Sequence, residues 1–288
     1  MSYSVLVTGA TGNVGTEVVS ALQASHPKTT IRIASRNAEE IHSREAGPES
    51  VYLDFQKPES FPSAVSGCRS VFLLRPPAIS NTGDTLNRFI NTARERDVQR
   101  IVFLSVAGAA DNKMVPHHAV EQQLRGGPND WTILRAGFFA QNLASAYRDD
   151  IMKDNRLYVP AGDGKVAFVD LRDVGKVAAQ ALTALSDHAG KTYTLTGPLS
   201  YTFSEVARIL SRNTGRDIEY KPASIPGYMY HLLRRKKLGF MHSIIQTILH
   251  AGLRFGQAEE VDPTLGQLLN NPPNTVESYI QDHASIWK

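Results

Sequence analysis

Cysteine is nearly absent: Cys68 is the one thiol among 288 residues. An intrachain disulfide is excluded, and a reducing compartment, the cytoplasm, is the expected setting. Lying beside the apolar stretch 70–74, Cys68 reads as a small core residue rather than a nucleophile. No apolar run reaches membrane-spanning length, so no membrane partner is expected. The sequence enters an apolar strand at once, and no signal peptide is expected. A large excess of one charge is missing too, since 31 Lys and Arg stand against 28 Asp and Glu. That surplus is too mild to point to nucleic acid. The basic run Arg234-Arg235-Lys236-Lys237 reads as a solvated helix turn, with a nucleic-acid contact as the open alternative. Repeats and low-complexity tracts are also lacking. With 42% hydrophobic and 20% charged residues, the composition is that of a globular protein. Its length suits one large α/β domain, or one with a smaller lobe.

What is present is concentrated at the amino end. Residues 4–7 form a short β-branched and aliphatic run suited to a buried strand, and Gly9, Gly12 and Gly15 follow at a spacing of three. From Val14 an amphipathic helix continues through Val18, Val19 and Leu22. A strand, a Gly-rich turn and a helix in that order make a diphosphate cradle. Gly9 permits the turn, Gly12 lets the backbone approach a pyrophosphate, and Gly15 lets helix and strand pack closely. The unpaired N–H groups and positive dipole end of the helix then face the anion. A plain strand-to-helix turn is the alternative; the context favours a dinucleotide.

The second strand, 30–34, ends in Ser35-Arg36-Asn37, with no carboxylate until Glu39. An acidic residue there holds the ribose 2′-hydroxyl of NAD, whereas a basic one accommodates a 2′-phosphate. Ser35 and Arg36 therefore point to NADP(H) over NAD(H), a solvated loop arginine being the alternative. Strands at 51–54, 70–74, 100–104 and 131–135 alternate with helices at 58–65, 84–97 and 117–124. This order predicts a doubly wound parallel sheet with right-handed crossovers. Asp54 and Phe55 fall where the adenine edge lies, and Leu74-Arg75-Pro76-Pro77 turns the chain away at the sheet's carboxyl edge. Ser105, at the end of the fifth strand, either faces the nicotinamide or serves turn chemistry.

Beyond Asn142 the pattern loosens. A helix to about 153 is followed by an expected hairpin, 156–160 with 165–169, and a helix from Asp170 through Leu185. A strand at 193–196 returns to the sheet, and a helix covers 203–212. The stretch 226–255, with Tyr228, Tyr230, Phe240 and Phe255, reads as a helical substrate lid, and 274–287 as a final helix. The expected division is a cofactor domain over 1–155, to which 165–197 partly returns, and a substrate lobe over 198–288.

The strand–helix order and Thr-Gly-Ala-Thr-Gly-Asn-Val-Gly resemble the short-chain dehydrogenase/reductase superfamily. Common branches of that superfamily carry Tyr-x-x-x-Lys, and no tyrosine here has a lysine four positions later. The 117–124 helix stands in its place. With Trp131-Thr-Ile-Leu-Arg135, Phe139-x-x-Asn142 and Asn271-Pro-Pro-Asn274-Thr-Val-Glu277, the chain resembles the atypical NmrA-like branch. Within it the chain is most similar to triphenylmethane-dye reductases, type-2 quinone oxidoreductases and festuclavine/agroclavine dehydrogenases. The resemblance implies a Rossmann domain with a smaller C-terminal α+β lobe. It implies Gly9, Thr11, Gly12, Asn13 and Val14 at the pyrophosphate and Arg36 at the 2′-phosphate. Asp54 and Phe55 are implied near adenine, Leu74 and Arg75 near the ribose, and His117 and Phe139 near the nicotinamide.

Quinones, iminium ions and triaryl cations accept hydride without a strong acid, so the missing pair argues against ketone reduction but not against hydride transfer. His117 or His118 either supplies a proton near neutral pH or merely starts its helix. A metal held by His118 and Glu121 lacks a third ligand. The expectation is an NADPH-dependent reductase of a small molecule. The alternative is a non-enzymatic redox sensor with a regulatory protein partner, and a homodimer is left open.

Overall fold

A computed structural model describes residues 4–37, 48–128, 130–184 and 186–288. Glu39, Asn129 and Leu185 lie outside them. In chain order the first elements are β1 (Ser4–Thr8), α1 (Asn13–Ser25), β2 (Thr30–Ser35), β3 (Glu49–Tyr52), α2 (Phe61–Val65) and β4 (Cys68–Leu74). There follow α3 (Arg88–Glu95), β5 (Arg100–Val106), α4 (Pro116–Arg125), β6 (Trp131–Ala136), α5 (Arg148–Asp154), β7 (Arg156–Leu157) and β8 (Lys165–Val166). Then come α6 (Leu171–Thr183), β9 (Lys191–Leu195), β10 (Tyr201–Thr202), α7 (Phe203–Thr214) and β11 (Glu219–Tyr220). The last are α8 (Ile225–Arg234), α9 (Phe240–Leu253), α10 (Thr264–Leu269) and α11 (Val276–Asp282). Two compact units result, Met1–Ala136 with Leu171–Leu195, and Gly137–Asp170 with Thr196–Lys288. Residues 137–155 thus group with the carboxyl-terminal unit.

The first unit is a seven-stranded sheet in the order β3-β2-β1-β4-β5-β6-β9, parallel throughout. It is the doubly wound Rossmann arrangement that strictly alternating strands and helices require. Central strands are apolar on both faces because helices cover both, and residues 100–105 of β5 are all buried. Strand order reverses between β1 and β4, which opens a crevice at their carboxyl ends. The expected 84–97 helix opens with a π-turn, Gly83–Asn87, and ends at Glu95, ahead of Asp97 at φ 60°.

The second unit has its own core, with Phe168, Phe203 and Trp287 fully enclosed. The expected hairpin is not formed. β7 pairs in parallel with β11, and β8 pairs antiparallel with β10. Leu157, Val159 and Ala161 are buried in the core at alternate positions, while the carbonyls of Leu157 and Val159 accept from Lys221 and Ala223. That register holds the segment against 219–223 rather than folding it onto 165–169. The lid stretch is two helices, α8 and α9, separated by a break in which Lys237 takes φ 53°. Tyr228 belongs to the core, whereas Tyr230, Phe240 and Phe255 are exposed. Within the basic run, Arg235 pairs with Asp154 and Lys236 with the buried Asp150, which also accepts from His231. The final helix is α11, N-capped by the Thr275 hydroxyl, followed by a 3₁₀ turn, Ala284–Trp287.

Arg216 ties this unit's ends together. Its guanidinium donates to the Asn155 side chain (2.6 Å), the Met152 carbonyl (2.7 Å) and the Trp287 carbonyl (3.1 Å). Arg216→Ala strands these acceptors and is expected to lower stability by about 2–4 kcal/mol, the range for losing several charge-assisted hydrogen bonds. Urea denaturation against Thr202→Ala, which removes one reciprocal cap on α7 and costs about 1 kcal/mol, checks the ranking.

Candidate functional site

The turn after β1 is shaped by what its glycines lack. Gly9 takes φ 65°, and the Gly12 amide donates back to its carbonyl at 3.0 Å. A Cβ on Gly15 would lie 2.2 Å from the Gly9 oxygen and 2.6 Å from the Ala10 Cα, both backbone atoms. Only glycine lets α1 start this close to the turn. Gly12 is the N-cap in an extended conformation, with no side chain capping the helix and no acidic residue in its first turn. Thr11, Gly12 and Asn13 are exposed, and Val14 and Gly15 are buried. An uncapped helix start behind an open backbone is a fit for a diphosphate, since its first N–H groups have no carbonyl within the helix.

The neighbouring strand closes one side. The Leu74 amide donates to the Thr8 hydroxyl at 2.8 Å, and Leu74 Cδ2 stands 2.6 Å from where a Gly9 Cβ would be. The Arg75 guanidinium is folded onto its own turn, donating to the carbonyls of Pro76, Pro77 and Ile79, and its Nε donates to His117 Nε2 at 3.3 Å. On the other side, Ser35 Oγ accepts from the Asn37 amide. Arg36 is exposed at the end of β2 and has no partner among the described residues. Asp54 Oδ1 accepts from the Gln56 amide. Phe55 is 7% exposed and packs edge-on against Phe61 and Phe89, so its ring belongs to the core. Phe139 belongs to the second unit, where it precedes the 3₁₀ turn Ala140–Leu143 and bridges to Val169.

Ser105 is held in a network with two further residues, Glu121 and Arg135, whereas His117 is held by Arg75. Ser105 is fully enclosed and donates to Glu121 Oε1 at 2.6 Å, while Arg135 donates to both carboxylate oxygens. Burial pushes the Glu121 carboxyl up, but hydrogen bonds from Arg135 and Ser105 and the arginine charges outweigh it and hold it below its ordinary value. Ser105 is thus committed to a buried network. The available signal was a carboxylate next to the apolar Val120 and at helical spacing from Leu124, and an arginine near the end of an apolar strand. Burial, then the Arg75 charge, push the His117 imidazole down to about 4, with Glu121 opposing. The expected proton donor is therefore uncharged at neutral pH. Because Nε2 accepts from Arg75, its one proton sits on Nδ1, which is buried with no hydrogen-bond partner among the described residues. His118 Nδ1 lies 2.8 Å from the Ala109 carbonyl, and among the described residues no three His, Cys, Asp or Glu side chains converge as metal ligands.

A histidine neutral in the fold and protonated when unfolded costs stability as pH falls. Above about 6.5 neither state is charged; between about 6.5 and 4 only the unfolded chain takes the proton. His117 alone is expected to reduce the folding constant about tenfold per pH unit across that window. Urea titrations at pH 7 and 5 on wild type and His117→Gln check it, the variant losing one proton of the dependence.

Comparison with known proteins agrees with this geometry. The sequence model of the NmrA-like family matches residues 1–284. The NAD(P)H azoreductase of Xenophilus azovorans is 34% identical over 222 residues, 75% of this chain and 76% of that protein. The prestalk A differentiation protein A of Dictyostelium discoideum is 30% identical over 234 residues, 81% of this chain and 76% of that protein. Among solved structures, the Citrobacter sp. triphenylmethane reductase complexed with NADP(H) superposes with a TM-score of 0.85 at 24% identity, over 96% of this chain and 99% of that one. A glycine cradle at the switch point of a seven-stranded parallel sheet, matched over nearly the whole length by one family's pattern, makes this chain a member of the NmrA-like family.

Proposed function

We propose that the chain is an NAD(P)H-dependent oxidoreductase that passes a hydride to a small electrophilic acceptor, such as a quinone, an iminium or a related conjugated compound. The observation that carries this is the backbone cradle at Gly9–Gly15, whose shape is explained by a diphosphate at the start of α1. An azoreductase relative named for NAD(P)H and a solved neighbour complexed with NADP(H) support it. NADP(H) is favoured over NAD(H) because Arg36 stands exposed where NAD-binding folds carry a carboxylate.

When bound, the reduced nicotinamide supplies the hydride. The chain's own part is to hold and orient. The N–H groups at Asn13 and Val14 receive the diphosphate, Arg36 the 2′-phosphate, and Leu74 covers Gly9. Arg75 keeps the His117 proton on Nδ1, so any help from this histidine is that of a neutral donor. Acceptors that need no strong acid suit a chain without Tyr-x-x-x-Lys.

Arg36→Ala is expected to raise the dissociation constant for NADPH about tenfold or more and that for NADH less than about twofold, as loss of one charge-assisted phosphate contact requires. Equal losses would remove Arg36 as the phosphate reader. Gly12→Ala separates site from fold. Its Cβ meets only the Gly9 oxygen at 3.5 Å, so stability should change by less than about 1 kcal/mol. Dinucleotide affinity should drop about tenfold or more. Stopped-flow mixing of NADPH-loaded protein with quinones, azo compounds and cyclic iminium ions tests turnover. Binding without oxidation of the cofactor by any of them would favour the redox-sensor reading.

A further inference from the structure

Helix α9 is built inside out. Three of its four buried positions are polar, Ser243, Thr247 and His250, and the fourth is Leu253 at its carboxyl end. The Ser243 hydroxyl donates to the Gly239 carbonyl and Thr247 to the Ser243 carbonyl. His250 donates from Nδ1 to the Gln246 carbonyl and accepts at Nε2 from the Tyr147 hydroxyl. Its outward positions are apolar. Phe240, Met241, Ile245, Ile248 and Leu249 are 48% to 65% exposed, and Phe255, just past the helix, is 82% exposed. None of its 14 residues is Asp, Glu, Lys or Arg. Surface helices ordinarily show the reverse, and a contiguous apolar face marks an interaction site.

Spacing and charge identify the occupant. Met241, Ile245 and Ile248 follow a four-three spacing, the seam along which one helix packs on another, with Gly252 continuing it beneath the Gln257 side chain and Phe255 closing it past the helix end. Exposed Arg234 and Lys237 precede the stripe, and exposed Glu259 and Glu260 follow it. Arg254 is drawn to the turn at Gly162. A two-fold axis through the middle of the stripe, beside Ile248, sets a second α9 antiparallel to the first. It brings the basic end of each copy to the acidic end of the other. Such self-complementarity is what an isologous contact needs. An anionic lipid surface asks for cations alone, whereas this rim carries both signs.

We propose that α9 is the seam of a two-fold symmetric homodimer, packing antiparallel on the α9 of a second copy. The test is sedimentation velocity of the full chain across a wide concentration range, with circular dichroism to confirm folding. Wild type is a dimer. Ile248→Asp raises the dissociation constant about 30-fold or more, as a central anchor should. Lys237→Glu raises it about fivefold, and adding Glu259→Lys to the same chain returns it to within about twofold. Ile248→Cys, beside the axis, gives a covalent dimer when a mild thiol oxidant such as diamide takes up the two electrons, the native Cys68 being buried. A wild type that stays monomeric at every concentration overturns the proposal, as does a dimer indifferent to Ile248→Asp. So does a monomer that binds anionic vesicles through this face. A monomer whose NADPH oxidation, but not its assembly, depends on Ile248 overturns it in favour of a substrate lid.

Discussion

One short approach governs the first unit: the start of α1 lies against the turn that leads into it, with no room for a side chain at Gly15. Because the helix begins there, its uncapped N–H groups face the crevice at the carboxyl ends of β1 and β4, where strand order reverses. Leu74 can lie over Gly9 only because Gly9 is bare. The parallel sheet fixes the level of both strand ends, so turn and cover meet without a flexible element.

Around this backbone site the side chains are arranged to hold charge in place rather than to exchange protons at neutral pH. Glu121 is kept ionised by Arg135 and Ser105, and His117 is kept neutral by burial and Arg75. The five residues come from the end of β4 (Arg75), β5 (Ser105), β6 (Arg135) and α4, where Glu121 and His117 stand one helical turn apart. The second unit shows the same economy in its polar interior, where Asp150 joins His231 to Lys236 and Tyr147 donates to His250. The second of these holds His250 on the inner side of α9, whose outer face is apolar.

Much of the first unit was legible in the chain because its signals are local. Apolar runs of strand length alternate with helical periodicity, and glycines at a spacing of three after the first strand announce the cradle. Arg36 stands in the sequence as a basic residue just after β2, and its exposure is what the structure adds. Ser105 and His117 could be named as candidates, but their states could not. Whether a serine is enclosed or a histidine neutral depends on Glu121 and Arg75, which approach only through the fold. The hairpin at 156–169 was a misreading of two strand-like segments around a Gly-Asp-Gly turn; their partners lie at 201–202 and 219–220.

The sequence by itself determined the parallel sheet, the tight glycine turn before α1 and the absence of Tyr-x-x-x-Lys, since each depends on residue type at short range. Tertiary structure alone decided the pairing of β7 with β11, the charge states of Glu121 and His117, and the inversion of α9. Those features arise from contacts between residues far apart in the chain, where burial and the nearest charge set the outcome rather than the identity of the residue.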